Sequence, residues 1–353
     1  MRPCWRRSAR RWPGRRGAVC PPYPPRILAD RKWGRFVGWP GRKGWAAGLG
    51  AALLALAGAV QAAGGIPAWL AAHEGTGPGQ IAPVVLERAR AFYLQKRAAG
   101  TVENPCYLAM DATRPNADAA GPLPRFYVIC EAARRFAAVP AGHGGGRRLD
   151  GVADFGNDRI CAKNFGTAEG SLLTAGGRYL TAEAKTGFQG YARGPGGQLL
   201  PFSRTFVQFD GEGEAANARA RAIGGHAAEL VRAACRMKAP GDPHADADGF
   251  VPVGQRVVYA AGRSNGCTSW APQDAAMIEA LIRDRPTTLY IYPEASDIAA
   301  VAAGRAGAYW NAGCLRAIGA PAFWPQATLG PVIARWDAAH PAVPRGPLPI
   351  CRG

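Results

Sequence analysis

The sequence predicts a β-rich α+β fold, a mixed β-sheet or sandwich with a few helices, one of them N-terminal. Three observations carry that reading. Runs of β-branched and aromatic residues recur between Gly-rich turns from residue 125 to residue 292. Helical periodicity is confined to a few stretches, clearest at 81–100 and 271–286. At 353 residues, 48% of them apolar, the chain has ample material for a packed core.

Taken in order, residues 1–44 hold thirteen Lys/Arg and one acid, Asp30, which accounts for +12 of the net +18. What remains is a mildly basic globular surface, which calls for no nucleic-acid partner. Residues 1–36 scatter Pro, Trp and Arg without periodicity and are set aside from the fold. After Arg42 and Lys43 comes GWAAGLGAALLALAGAVQAAGG, an apolar run shorter than the roughly 20 residues of a membrane span. It ends in Val60-Gln61-Ala62, so it reads as a secretory signal cleaved near Ala62, leaving an exported chain with no stable membrane span. Residues 1–62 are thus leader and signal.

Residues 63–103 combine a Gly- and Pro-rich stretch, read as mobile up to residue 80, with the helix IAPVVLERARAFYLQKRAAG, stopped by Gly100. The body of the fold, 104–293, opens with RFYVIC and RRFAAVPAG, a hairpin split by a polar turn. GRYLTAEA, QLLPFSRTFVQFD, ARARAIGGH and QRVVYAAG read as further strands. AAELVRAACRM, rich in helix formers, reads as a short helix over 227–237. APQDAAMIEALIRDRP reads as a helix with Pro272 in its first turn, and TTLYIY as a buried strand. Residues 294–353 form an extension whose tryptophans and cysteines pack on the body.

Seven cysteines follow the signal, an odd number in an oxidising compartment. If Cys267 is the working thiol, then Cys106, Cys130, Cys161, Cys235, Cys314 and Cys351 form up to three disulfides, with fifteen connectivities open. No C-x-x-C or C-x-x-H spacing occurs, so no metal site and no cofactor is expected. HADADG over 244–249 copies part of a calcium loop, but Gln255 stands where a bidentate Glu is needed.

Cys267 lies in GRSNGCTSW ahead of the 271–286 helix, where terminal N–H groups would stabilise a thiolate or a developing oxyanion. His226, flanked by Gly224 and Gly225 at a strand end, is the candidate base. The order His226, strand, Ser264-Asn265-Gly266-Cys267, helix resembles the L,D-transpeptidase catalytic domain of the YkuD type. It is more closely similar to the murein L,D-transpeptidase catalytic domain-like branch, whose usual motif G-R-S-x-G-C stands here at 262–267. AGHGGG at 141–146 and NFGTAEGSLLTAGG at 164–177 match that branch's A-H-G turn and Ser-rich segment.

This resemblance, running from about Asn104 to Pro293, implies an exported acyltransferase or peptidase acting on peptidoglycan stem peptides in the cell envelope. Cys267 would be the nucleophile and His226 its general base. The Gly266 and Cys267 amides would face the oxyanion and Ser264 would support the turn. Arg263, Asn265 and Thr268 would contact substrate. The wider family has an arginine two residues after its cysteine; this chain has Ser269, which leaves Arg263 as the candidate for the substrate carboxylate. Other readings of the same residues are a different secreted thiol peptidase, or a non-catalytic, disulfide-stabilised envelope binding protein with Cys267 paired. GHGGGRR at 142–148 reads as a flexible hairpin loop near the site.

Overall fold

The computed structural model describes residues 65–259, 264–305, 308–343 and 346–352. The leader and signal reading for 1–62 lies outside these residues, as does Arg263. The described body is β-rich with six helices, as the composition demands. The segment before the long helix, expected to be mobile, is tied down. It holds a short helix α1 (Ala68–Ala71), a bridge between Glu74 and Ile81, and carbonyls of Gly75 and Gly77 that take hydrogen bonds from the buried Arg114. Helix α2 (Pro83–Ala98) starts on Pro83 and ends just before Gly100, whose φ of 67° is the left-handed conformation that stops a helix.

The main sheet has ten strands. They are β1 (Tyr107–Asp111), β2 (Pro124–Cys130), β3 (Arg135–Gly142), β5 (Gly177–Arg193), β6 (Leu199–Glu212), β7 (Gly224–Ala227), β8 (Glu229–Lys238), β9 (Phe250–Val258), β10 (Thr268–Trp270) and β11 (Thr288–Tyr292), with β4 (Asn164–Gly166) lying outside it. Its order is β6-β7-β10-β3-β2-β1-β11-β5-β9-β8, and β5 pairs back onto β6, so eight strands close into a ring. A cluster of apolar residues drawn from all eight ring strands, including Leu108, Phe126, Tyr179, Phe209 and Trp270, fills the interior. Helix α3 (Pro272–Ile282) adds Ala275, Ile278 and Ile282 to it. Across the wall, Tyr107, Tyr127 and Tyr290 pack under α2 as a second cluster.

Two further sequence expectations are corrected. The segment 227–237 is not a helix: Ala227 ends β7, and from Glu229 on β8 pairs antiparallel with β9, because ladder bonds and the Cys235–Cys351 disulfide outweigh a propensity of a few tenths of a kcal/mol per residue. ARARAIGGH is a strand only in its last residues; 217–223 is a hydrogen-bonded turn.

Six cysteines pair as Cys106–Cys130, Cys161–Cys314 and Cys235–Cys351, and Cys267 is half of none of these bridges. The C-terminal extension folds as α4 (Ala295–Ala302), α5 (Ala312–Ile318), β12 (Ala322–Trp324) and α6 (Gln326–Ala339), with β12 pairing parallel with β4. No helix among the described residues is long and apolar enough to cross a membrane.

Candidate active site

The Cys267 turn is assembled from three chain segments. Ser264 N–H donates to the His143 carbonyl at 3.0 Å, and Gly145 N–H returns a bond to the Ser264 carbonyl at 2.9 Å. Thr174 Oγ1 accepts from Gly144 N–H at 2.7 Å and donates to the Gly266 carbonyl at 3.3 Å, joining the glycine segment to the cysteine turn. Glycine is required where these backbones touch. A Cβ on Gly144 would lie 2.4 Å from the Leu172 carbonyl, and Gly266, at φ 102°, rests against the Leu173 carbonyl. The segment 142–146, expected to be a flexible loop, is therefore an ordered wall of the site.

Ser264 supports the turn through its side chain: Oγ accepts from Gly266 N–H at 3.2 Å and donates to the Cys267 carbonyl. In this state the Gly266 amide is engaged, so it can serve an oxyanion only by giving up Ser264. The helix N-terminus is also farther from the thiol than the sequence suggested. Strand β10 intervenes, and four residues of extended chain from Cys267 to the cap Ala271 span roughly 13 Å. The amides of α3 therefore do not face the thiol.

Strand register decides which side chains meet. β7 and β10 are parallel, with Gly225 opposite Thr268, His226 opposite Ser269 and Ala227 opposite Trp270. Ala227 and Trp270 belong to the interior cluster, and Thr268 Oγ1 contacts Met110 Sδ within it, so this face points inward. Thr268 is thus a core residue and not a substrate contact. By alternation His226, Ser269 and Cys267 share the outer face, with Cα atoms of His226 and Cys267 roughly 8 Å apart from strand spacing and rise. The paired glycines before His226 now have a reason. A Cβ on Gly224 would meet the Phe206 ring at 2.4 Å, and one on Gly225 the Trp270 ring at 2.0 Å, so aromatic rings close over the strand from both sides.

Cys267 is 2% exposed and His226 5%. Cys267 Sγ lies 3.6 Å from the Ala222 carbonyl, and the His226 ring stacks 6.4 Å from that of Phe206. His226 Nδ1–H donates to the carbonyl of Ala227 at 2.9 Å, which leaves the Nε2 lone pair as the basic site. Burial, reinforced by the charge of Arg204, lowers the His226 pKa to about 4, so the ring is neutral at physiological pH. Arg204 stands on the same outer face, two residues before Phe206, which pairs with His226. Its guanidinium donates to the Glu229 carbonyl at 3.2 Å and to Tyr259 Oη at 3.3 Å.

The C-terminal extension reaches the site through β4. Trp324 Nε1–H donates to Asn164 Oδ1 at 2.8 Å, its carbonyl accepts from Thr167 N–H at 3.1 Å, and Gly166 N–H bonds to the Thr174 carbonyl. Arg147, next to the glycine wall, pairs with Asp337 of α6 at 2.6 Å. Asn265 lies in the turn beside Ser264, half-buried. In the calcium-like loop the Asp246 carboxylate instead accepts the amides of Asp248 and Phe250, closing the turn between β8 and β9.

In comparisons with known proteins, no family model, curated protein or solved structure matches this chain.

Sequence reasoning missed Arg221, Ala222, Thr174 and Arg204. Arg221 and Ala222 were absorbed into a strand pattern.

Proposed function

We propose that this protein is an exported, cysteine-dependent L,D-transpeptidase-like acyltransferase or hydrolase of peptidoglycan stem peptides, its ring of strands forming the catalytic domain. The observation that carries the reading is the placement of the Cys267 thiol and the basic Nε2 side of His226 on one face of adjacent parallel strands, at a turn fixed by Ser264. The G-R-S-x-G-C pattern supplies the substrate class. The three disulfides and the apolar segment before Ala62 support a cell-envelope location.

In this scheme His226 Nε2 takes the Sγ proton and the thiolate attacks the carbonyl carbon that follows the L-centre of the diamino acid. An S–C bond forms and the carbonyl π pair moves to oxygen. Collapse of that oxyanion breaks the C–N bond, and the imidazolium returns its proton to the departing D-alanine amine. An amine of a second stem, or water, then attacks the thioester, gives its proton to His226, and the C–S bond breaks. Arg204, a cation on the outer face beside His226, would take a stem-peptide carboxylate.

Incubation of the mature protein with a defined tetrapeptide muropeptide, followed by intact-mass measurement, tests the reading. The expected result is a thioester adduct lacking D-alanine, absent in Cys267→Ser with its melting temperature preserved. Equal adduct formation by Cys267→Ser refutes the nucleophile.

A further inference from the structure

The turn that leads into β7 places a part-buried cation beside the Cys267 turn. Arg221 Nη2 donates to the Leu173 carbonyl at 2.6 Å and Nη1 to the Gly166 carbonyl at 3.2 Å. The Leu173 oxygen is also the atom against which Gly266 rests, at 2.8 Å from where its Cβ would be. The guanidinium and the Gly266-Cys267 turn therefore share one carbonyl.

The next residue, Ala222, is held at φ 52°, a left-handed conformation unusual for a residue with a Cβ, and its carbonyl is the one that faces Cys267 Sγ. Bonds from Arg221 N–H to the Asn217 carbonyl, from Ala222 N–H to that of Arg219 and from Ile223 N–H to that of Ala218 hold the turn in this shape. Arg219, two residues earlier, does something different: it forks onto Glu183 and Asp210 at the surface.

A neutral histidine alone is a weak partner for a thiol. With His226 held at about 4, transfer of a proton from a thiol of ordinary acidity near 8.5 is uphill by roughly 4.5 pKa units. A positive charge that meets the thiolate offsets part of that gap.

We propose that Arg221 is a positioning residue for Cys267: its part-buried guanidinium stabilises the thiolate left when the Sγ proton passes to His226 Nε2, while the Ala222 carbonyl holds the protonated thiol at rest. The proposal rests on Cys267 being the nucleophile. It is consistent with the electrostatics of Arg221, whose pKa burial lowers while the charges of Tyr179, Cys267 and Glu169 oppose that fall. The other charged or titratable groups bearing on the site are His226, with Arg204 beside it, and, on the β3 side, His143 paired with Arg125.

The test is the ultraviolet absorbance of the thiolate against pH, taken as the difference between the mature protein and its Cys267→Ser variant, with unfolding measured on the same samples. Arg221→Met is expected to move the thiolate midpoint upward by about one pH unit or more, roughly tenfold less thiolate at neutral pH. Arg221→Lys, which keeps the charge but loses the fork, is expected to keep the midpoint near that of the parent even if it melts earlier. A midpoint unchanged in Arg221→Met, or one that rises equally in Arg221→Lys, overturns the proposal and leaves a carbonyl clamp. If Arg221→Met does not fold, Arg221→Gln, which also removes the charge, takes its place in the comparison with Arg221→Lys. A parent protein with a depressed midpoint that forms no muropeptide adduct keeps the Arg221 assignment while removing the stem-peptide reading.

Discussion

Two histidines stand on either side of β10, and they differ in what their second nitrogen does. His143, just past the end of β3, is fully buried; its Nδ1 accepts from Arg125 at 2.7 Å and its Nε2–H reaches the Asp158 carbonyl at 3.2 Å. His226, in β7, is nearly as buried, but only its Nδ1 has a hydrogen-bond partner among the described residues. Burial first and a neighbouring arginine second push both pKa values down, to about 3 for His143 and about 4 for His226. Burial therefore does not distinguish a base from a strut. The satisfied ring fixes the wall that carries Ser264, and the half-satisfied ring keeps a basic lone pair, as the proposed base requires.

The largest expected effect separates the two directly. His226→Ala should slow acylation by about 10²–10⁴-fold, whereas His143→Ala, normalised to folded protein, should slow it much less; similar losses measured by single-turnover mass spectrometry would erase the distinction. The stability order should be the reverse. His143→Ala leaves the buried Arg125 guanidinium short of a partner and should cost about 1–3 kcal/mol in denaturant unfolding, more than His226→Ala.

The pH dependence sharpens the comparison. As the proposed base, His226 would act in its neutral form, and its depressed pKa extends that form downward, so acylation should fall as pH drops through about 4 and not through the ordinary histidine range. Stability carries the same sign. The unfolded chain takes up the two protons near pH 6.5, before the folded one does, so stability is complete above that value and is lost as pH falls through about 4 and 3. Urea titrations across this window should show it, and a flat profile would mean that both rings are more solvated than the fold implies.

The smallest expected effect concerns Arg204. Arg204→Gln removes the cation beside His226, so the acid limb should move upward by a fraction of a unit, and KM for a stem peptide should rise severalfold if the guanidinium takes its carboxylate. A shifted limb with unchanged KM would confine Arg204 to electrostatics.

Much of this arrangement was legible because it rests on local rules. Pro83 and Gly100 bracket α2 as proline and glycine do at helix ends, Pro272 opens α3, and the aromatic and β-branched run 288–292 is a strand buried throughout its length. Ser264, Gly266 and Cys267 stood out because hydroxyl, glycine and thiol so close together serve a tight turn better than a core. Where reading failed, the deciding forces were long-range. Residues 227–237 carry helix formers but gain more from pairing with β9. Thr268 looked like a substrate contact until parallel register turned it inward. Arg221 has no local signature, since its partners lie in a segment about fifty residues upstream.

The sequence by itself determined a β-rich body, its N-terminal helix, the six cysteines available for bridges and a thiol turn with a histidine upstream, because propensity, periodicity and residue chemistry act over a few neighbours. Only the tertiary structure decided which cysteines pair, that the sheet closes into a ring, that the C-terminal extension braces the wall of the site, and which face of β10 meets His226. Those outcomes depend on register and on contacts between residues far apart in the chain, where a one-residue shift would turn Cys267 inward and bring Thr268 to the outer face.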